Sequence, residues 1–199
     1  MVFLKLAETL YLRLVNKYFQ KLRIALYSWL STNEPKDISF TKYQPVLFTG
    51  LGKIIIGNKT ILGINPSPFL FNGYIHIEAR NVHSSIWLGD GVAVNNNSTF
   101  ISEGEGIFIG DDVLIGHNVL IVDSDFHPVA IDKTYNPINI KTGKVVIKNN
   151  VFIGSEVKIL KGVEIGENSV IGCGSVVTKS FPPNVVIGGN PARIIKELK

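Results

Sequence analysis

Residues 113–128 read VLIGHNVLIVDSDFHP, and they end on a histidine–proline pair just inside a break in an otherwise regular pattern. Pro128 restricts the backbone of His127 to extended conformations. A neutral imidazole can take the proton of an alcohol as its oxygen attacks an activated carbonyl, an effect typically worth about 10²–10⁴ in rate. The tautomer of such a base must be fixed by a partner. Asp123, Asp125 and a backbone carbonyl are the candidates nearby in sequence. His117 sits in a corner, I-G-H-N, and is the competing candidate, as a substrate contact. His76 and His83 fall in an irregular region and are expected to be structural. A catalytic zinc would need three ligands at one ion with an open fourth position. Only His83, His117 and His127 could form that trio, and their spacing fits no zinc pattern, so no metal is expected. Cys173 is the single cysteine and has no partner arrangement that would activate it as a nucleophile. It cannot close an intrachain disulfide, which favours a reducing compartment. Neither a GxxxxGK[ST] nor a GxGxxG unit is present, so phosphate binding by those loops is unsupported.

The elements around His127 follow from a period of six. Ile147, Ile153, Ile159, Ile165, Ile171 and Val177 are spaced by six without a slip. Val151, Val157, Val163, Ser169 and Ser175 keep the same step, four residues after each aliphatic. Upstream, Leu88, Val94 and Phe100 hold it, then Ile109, Ile115 and Ile121, with a shorter trace at Ile56 and Leu62. Such a period suits a short strand, a corner and another short strand, repeated. Nineteen glycines, with Asn and Asp, supply corners where positive φ costs little. Stacked coils bury an aliphatic column that no single repeat could bury. A β-solenoid is the expected fold. Between Ile121 and Ile147 the frame is broken by a loop at about 123–145, which the packing of the solenoid does not need. Such insertions are commonly functional because the scaffold positions them.

The ends differ from this body. Residues 1–31 lack glycine and proline and repeat Leu6, Leu10, Leu14, Tyr18, Leu22 and Leu26 every four residues, which predicts an amphipathic helix. It is expected to pack on the rest of the protein as a cap, the alternative being a cationic helix on a membrane surface. Lys5, Arg13, Lys17, Lys21 and Arg23 against Glu8 account there for the whole net charge of +4. The body is therefore neutral and carries no basic stripe, which argues against nucleic acid as a partner. No run of about twenty apolar residues predicts a membrane span. The start also lacks the small-residue cleavage site of a signal peptide. The expected organisation is the helical segment 1–31, a linker 32–49, the β-solenoid 50–190 and a tail 191–199.

Over roughly residues 50–195 the chain resembles the hexapeptide-repeat acyltransferases, whose fold is a left-handed parallel β-helix. The carriers are the repeats, DFHP at 125–128, NNVFIGSEVKILKGVEIGENSVIGCGSVVTKS at 149–180 and PPNVVIGGNPARII at 182–195. The match is nearest to the maltose, galactoside and nodulation O-acetyltransferases and their relatives in surface-polysaccharide synthesis. The left-handed winding comes from this resemblance and runs against the usual crossover rule.

The resemblance implies a homotrimer with sites between neighbouring subunits, acetyl-coenzyme A as donor and a carbohydrate acceptor. It assigns His127 as the base, in direct transfer without an acyl-enzyme, and Asn95 beside it near the acetyl group. Asn97, Glu103, Glu105, His117 and Asp125 are implied as acceptor-side contacts. Gly154, Ser155, Gly172 and Cys173 are implied along the pantetheine groove, with Thr178, Lys179 and Arg193 toward the nucleotide. Phe152 is either a wall of that groove or outward packing. The implied location is cytoplasmic, or peripheral to the inner face of the membrane through residues 1–31. The function expected is acetyl transfer to a sugar hydroxyl in cell-surface polysaccharide synthesis. The alternatives are transfer to the nitrogen of a nucleotide-linked amino sugar and an inactive solenoid scaffold.

Overall fold

The structure, a computed structural model, describes residues 2–36, 39–128 and 140–199. A helix, Val2–Leu30, is followed by short strands that turn a corner every few residues. The strands stack into three sheets of eight, six and five, parallel except for the last pair. They are the three faces of a prism.

The period of six builds one buried column per face. On the first face Leu62, Val94, Ile115, Ile153, Ile171 and Ile187 pair in register. On the second the column is Phe48, Ile77, Phe100, Ile121, Ile159 and Val177. On the third it is Ile56, Leu88, Ile109, Ile147 and Ile165. All of these side chains are buried. The set four residues behind, Val151, Val157, Val163, Ser169 and Ser175, is buried as well. Burying one such aliphatic contributes roughly 1.5–3 kcal/mol, so the columns supply the driving force.

Corners carry left-handed residues, among them Asp112, Asn118, Asn150 and Asn168. Their side chains also bond between coils, Asn150 Nδ2 donating to Asn168 Oδ1 at 2.8 Å and Asn168 Nδ2 to Asn184 Oδ1 at 3.1 Å. Gly116 is required by close approach, since a Cβ there would lie 2.4 Å from the backbone nitrogen of Ser155.

The boundaries shift at both ends. Within the expected linker 32–49, Thr41–Lys42 and Val46–Gly50 are strands of the first coil, and Gln44 and Phe48 are fully buried. Few residues here keep the six-step, so the periodic signal is lost while the packing persists. The expected tail 191–199 is likewise a strand, Ala192–Glu197, antiparallel to Val185–Gly189.

The helix docks by the face opposite to the one its periodicity suggests. Gln20 Nε2 donates to the carbonyls of Tyr43 (2.8 Å) and Leu70 (2.9 Å). Arg23 donates to the carbonyls of Leu70 (3.0 Å) and Gly73 (2.6 Å), and Tyr27 packs on Tyr74. Burial pushes the Arg23 pKa down. Leu14, Tyr18, Leu22 and Leu26, expected to be buried, are exposed, as is Trp29 at 79%. The reason is that carbonyls of the first coil and of the 64–73 segment need donors, which the Gln20–Arg23–Tyr27 face supplies. The side chains of Leu6 and Leu10 lie outside the described residues.

Ile121→Ala, in the middle of the second column, is expected to destabilise the protein by about 2–5 kcal/mol. Chemical denaturation of the two proteins in parallel measures it.

Candidate active site

Two segments leave the coil pattern, and each leaves at a corner. Between the first-face strand Ile61–Leu62 and the second-face strand Ile75–Ala79, residues 63–74 bulge out. Between the second-face strand Leu120–Val122 and the third-face strand Val145–Ile147, the described residues 123–128 and 140–144 leave the ladder and return to it. Of this second loop, residues 129–139 lie outside the described residues, and with them part of the expected 123–145 loop.

The second loop has a defined root. Asp123 is fully buried, and its carboxylate accepts from the Ser102 hydroxyl (2.7 Å) and from the backbone N–H of Glu103 (2.7 Å) and Gly106 (2.7 Å). The outgoing and returning strands are tied by Gly143 N–H to Asp123 O (2.9 Å) and by Asp125 N–H to Lys141 O (3.0 Å). Asp125 Oδ1 accepts from the Lys161 ammonium at 2.6 Å. Phe126 has φ +59°, a left-handed kink that turns the chain immediately before His127. His127 follows, exposed, on this braced root.

A charged group stands over the ring of Phe126. The Arg80 guanidinium lies 4.9 Å from the Phe126 ring centroid and bonds Glu78 (2.8 Å) and Glu103 (3.4 Å). The hydrogen bond to Glu78 is the main cause that raises the Arg80 pKa. Glu103 also accepts from the Ser124 hydroxyl, so this carboxylate braces the root of the loop. Glu105 is exposed. Asp123, weighed as a partner of the imidazole, gathers the turn at 102–106.

The other expected residues collect along the edge between the first and second faces. Asn95, His117, Ser155 and Cys173 follow successive first-face strands there. Asn95 Oδ1 accepts from the N–H of Asn96 at 2.7 Å, closing its own corner. Asn97 donates through Nδ2 to Asn118 at 3.1 Å. The His117 ring packs 5.6 Å from that of Phe69, and its Nδ1 is buried with no hydrogen-bond partner among the described residues. Gly154 is buried, and a Cβ on it would lie 2.7 Å from the nitrogen of Cys173, so coil stacking alone requires a glycine there. Gly172 has more room, with its nearest atom at 3.5 Å, and Cys173 is exposed. Phe152 points outward from the first face, partly exposed.

Thr178 and Lys179 are exposed at the edge between the second and third faces, the edge that bears the His127 loop. The Lys179 ammonium lies 5.6 Å from the Phe181 ring centroid. Arg193 is exposed on the last strand and donates to its neighbour's carbonyl, Ala192 O, at 2.8 Å. Within one chain, then, His127 and Asn95 occupy different edges of the prism. The sequence reading missed Arg80 and Lys161, whose pairing depends on coil stacking. It also missed Asn96, whose fully buried amide bonds Ile64 N–H (3.0 Å) and Pro68 O (2.8 Å). The thirteen-residue step from Leu62 to Ile75 was the available signal for the first insertion. Among the described residues no group of three or more His, Cys, Asp or Glu could hold a metal ion.

Comparison with known proteins places this architecture. The family model "Bacterial transferase hexapeptide (six repeats)" matches residues 144–179. The fold is that of the hexapeptide-repeat transferases, a left-handed parallel β-helix, and the chain resembles the hexapeptide-repeat acyltransferases. It is 40% identical over 125 residues to a galactoside O-acetyltransferase of Lactococcus lactis, covering 63% of this chain and 57% of that protein. It is 44% identical over 115 residues to a galactoside O-acetyltransferase of Escherichia coli, covering 58% and 55%. The chain thus spans little more than half the length of these relatives. A solved maltose O-acetyltransferase of Clostridium difficile superposes with a TM-score of 0.52 at 25% identity, covering 93% of this chain and 89% of that one.

Two measurements test this local geometry. Asp123→Asn replaces an acceptor by a donor facing buried N–H groups and is expected to cost about 1–3 kcal/mol by denaturant unfolding. His76 lies 3.1 Å from Thr49 Oγ1 and 3.8 Å from Glu78, and burial lowers its pKa from 6.5, against the opposing pull of Glu78. The unfolded chain then binds a proton that the folded one does not, so the His76 contribution to stability falls as pH drops below about 7. His76→Gln is expected to flatten that part of the stability–pH profile.

Proposed function

We propose that the chain is an acetyl-coenzyme A-dependent O-acetyltransferase acting on a sugar hydroxyl, with His127 as general base. One observation carries the reading. The solenoid is interrupted beside His127, and the root of that interruption is braced by a fully buried carboxylate, Asp123. The relatives, galactoside and maltose O-acetyltransferases, support the donor class and a sugar acceptor. In the proposed reaction His127 accepts the hydroxyl proton while that oxygen attacks the thioester carbonyl. The tetrahedral oxyanion collapses, the carbon–sulfur bond breaks and the coenzyme A thiolate leaves, taking the proton back from His127. The thioester is already activated, so sharpening a weak nucleophile is the chief task, with hydrogen-bond donors for the oxyanion as the second.

The proposal includes a homotrimer. His127 and Asn95 stand on different edges of one prism, and packing prisms side by side sets the His127 edge of one subunit against the Asn95 edge of its neighbour. Asn95 then serves the acetyl group, while Asn97, Glu103, Glu105, His117 and Asp125 are proposed on the acceptor side. Gly154, Ser155, Gly172 and Cys173 admit the pantetheine arm, with Thr178 beyond them. Lys179 and Arg193 meet the nucleotide phosphates through charge-assisted hydrogen bonds. Glu103 and Asp125 act through the root of the loop, given their bonds to Ser124, Arg80 and Lys161. The acceptor is proposed to belong to cell-surface polysaccharide synthesis in the cytoplasm, with residues 1–31 touching the inner face of the membrane. Among the described residues no helix is long and apolar enough to cross a membrane.

His127→Ala is expected to lower turnover by about 10²-fold or more in an acetyl-transfer assay with galactosides and maltose. Coenzyme A binding, followed by calorimetry, is expected to be retained. Near-normal turnover would assign the base to another group.

A further inference from the structure

We propose that the N-terminal helix seats the protein on an anionic lipid surface and that the cavity between this helix and the 64–73 segment receives a lipid phosphate. The inference rests on the proposed membrane contact of residues 1–31 and adds the chemistry of the seat. It does not depend on acetyl transfer.

The first observation is an unpartnered ridge. Leu14, Tyr18, Leu22, Leu26 and Trp29 recur every three or four residues, so they share one face of the helix. All are exposed, Tyr18 and Leu22 at 68% and Trp29 at 79%. The docked face, with Gln20, Arg23 and Tyr27, is the opposite one. A contiguous apolar face on a folded protein marks a surface that something covers.

The second observation is the cavity on the flank of that ridge. It measures about 550 Å³ and is bordered by Lys17 and Lys21 from the helix, by Lys42 and Tyr43 from the first coil and by Leu70 and Phe71 from the 64–73 segment. None of its described lining residues is acidic. Lys42 is satisfied by Glu34 and the Ser28 hydroxyl, whereas Lys17 and Lys21 have no ion-pair partner among the described residues. Two cations over an apolar floor fit a phosphate joined to an apolar body.

Charge decides what covers the ridge. Residues 1–31 hold the whole net charge of the chain, +4. A second copy laid on the ridge would bring like charges together, whereas an anionic bilayer attracts each lysine near its surface. The two aromatics of the ridge, Tyr18 and Trp29, suit the headgroup boundary. The seat also adjoins the proposed site. Gln20 and Arg23 hold the carbonyls of Leu70 and Gly73, and the same segment lays Phe69 against His117. A protein held this way would present that edge to a glycan carried at the bilayer.

The test is sedimentation with vesicles of phosphatidylcholine alone or mixed with phosphatidylglycerol, using the full chain, with tryptophan emission followed in parallel. Trp29→Phe gives the Trp87 background. Binding is expected only to the mixed vesicles, with a blue shift from Trp29 and weakening as salt rises. The Lys17→Gln/Lys21→Gln double variant is expected to bind roughly 30-fold more weakly. Lys17→Arg/Lys21→Arg is expected to restore binding, which separates charge from misfolding. Binding by the wild type that is unchanged in the glutamine variant overturns the phosphate seat and leaves the membrane contact standing. Binding to neither vesicle overturns both. Calorimetric binding of inorganic phosphate without vesicle binding assigns the cavity to a soluble phosphate and overturns the lipid. A change of oligomeric mass in Leu22→Ser, without vesicle binding, assigns the ridge to a second copy and likewise overturns it.

Discussion

Everything in this molecule depends on three buried columns staying in register. Each aliphatic is buried only if the coils on either side place theirs at the same height. The chain must therefore come back to the same face in the same register on every coil. A change of length inside a strand would turn a column outward, because side chains alternate between faces. The tolerated place for extra residues is a corner, where a loop can leave and return at one level. Both interruptions obey this, 63–74 at one edge and 123–144 at the next.

Leaving the repeat creates a second problem. Residues outside the ladder lose their strand partners, and unpaired buried amides are costly. Each interruption is therefore anchored by a buried polar side chain that bonds between it and a neighbouring coil. Asp123 gathers the N–H groups of the 102–106 turn under the root of the His127 loop. Asn96 and Gln44 do the same for the first insertion, Gln44 donating to Phe69 O at 2.7 Å and accepting from Asn97 N–H at 2.8 Å. These amides and this carboxylate are spent on positioning. Beyond them stand His127 at one edge and the ring of Phe69 over His117 at the other.

A solenoid also has two open ends, and an uncovered terminal coil exposes its column. The C-terminal end closes with the antiparallel strand Ala192–Glu197, which breaks the parallel stacking. The N-terminal helix meets the other end through Gln20, Arg23, Tyr27 and Ser31, the last bonding Phe48 N–H at 3.0 Å. Because that docking is polar, it does not consume the apolar ridge.

The sequence alone determined the solenoid, since a six-residue period in buried aliphatics is a local statement that any reader of the chain can count. It also determined that the loop near His127 is surplus to packing, and that the net positive charge is carried by residues 1–31. Only the tertiary structure decided which carboxylate holds the loop. Asp123 and Asp125 look alike in sequence, but one faces the 102–106 turn and the other Lys161, and those neighbours arrive from coils about twenty and thirty-six residues away. The same holds for the helix. Its stripe of leucines specifies a face that avoids water, and periodicity cannot say whether protein or lipid covers it. Backbone carbonyls of residues 43, 70 and 73 decided which face docks on the coils, by accepting from Gln20 and Arg23 on the other face of the helix.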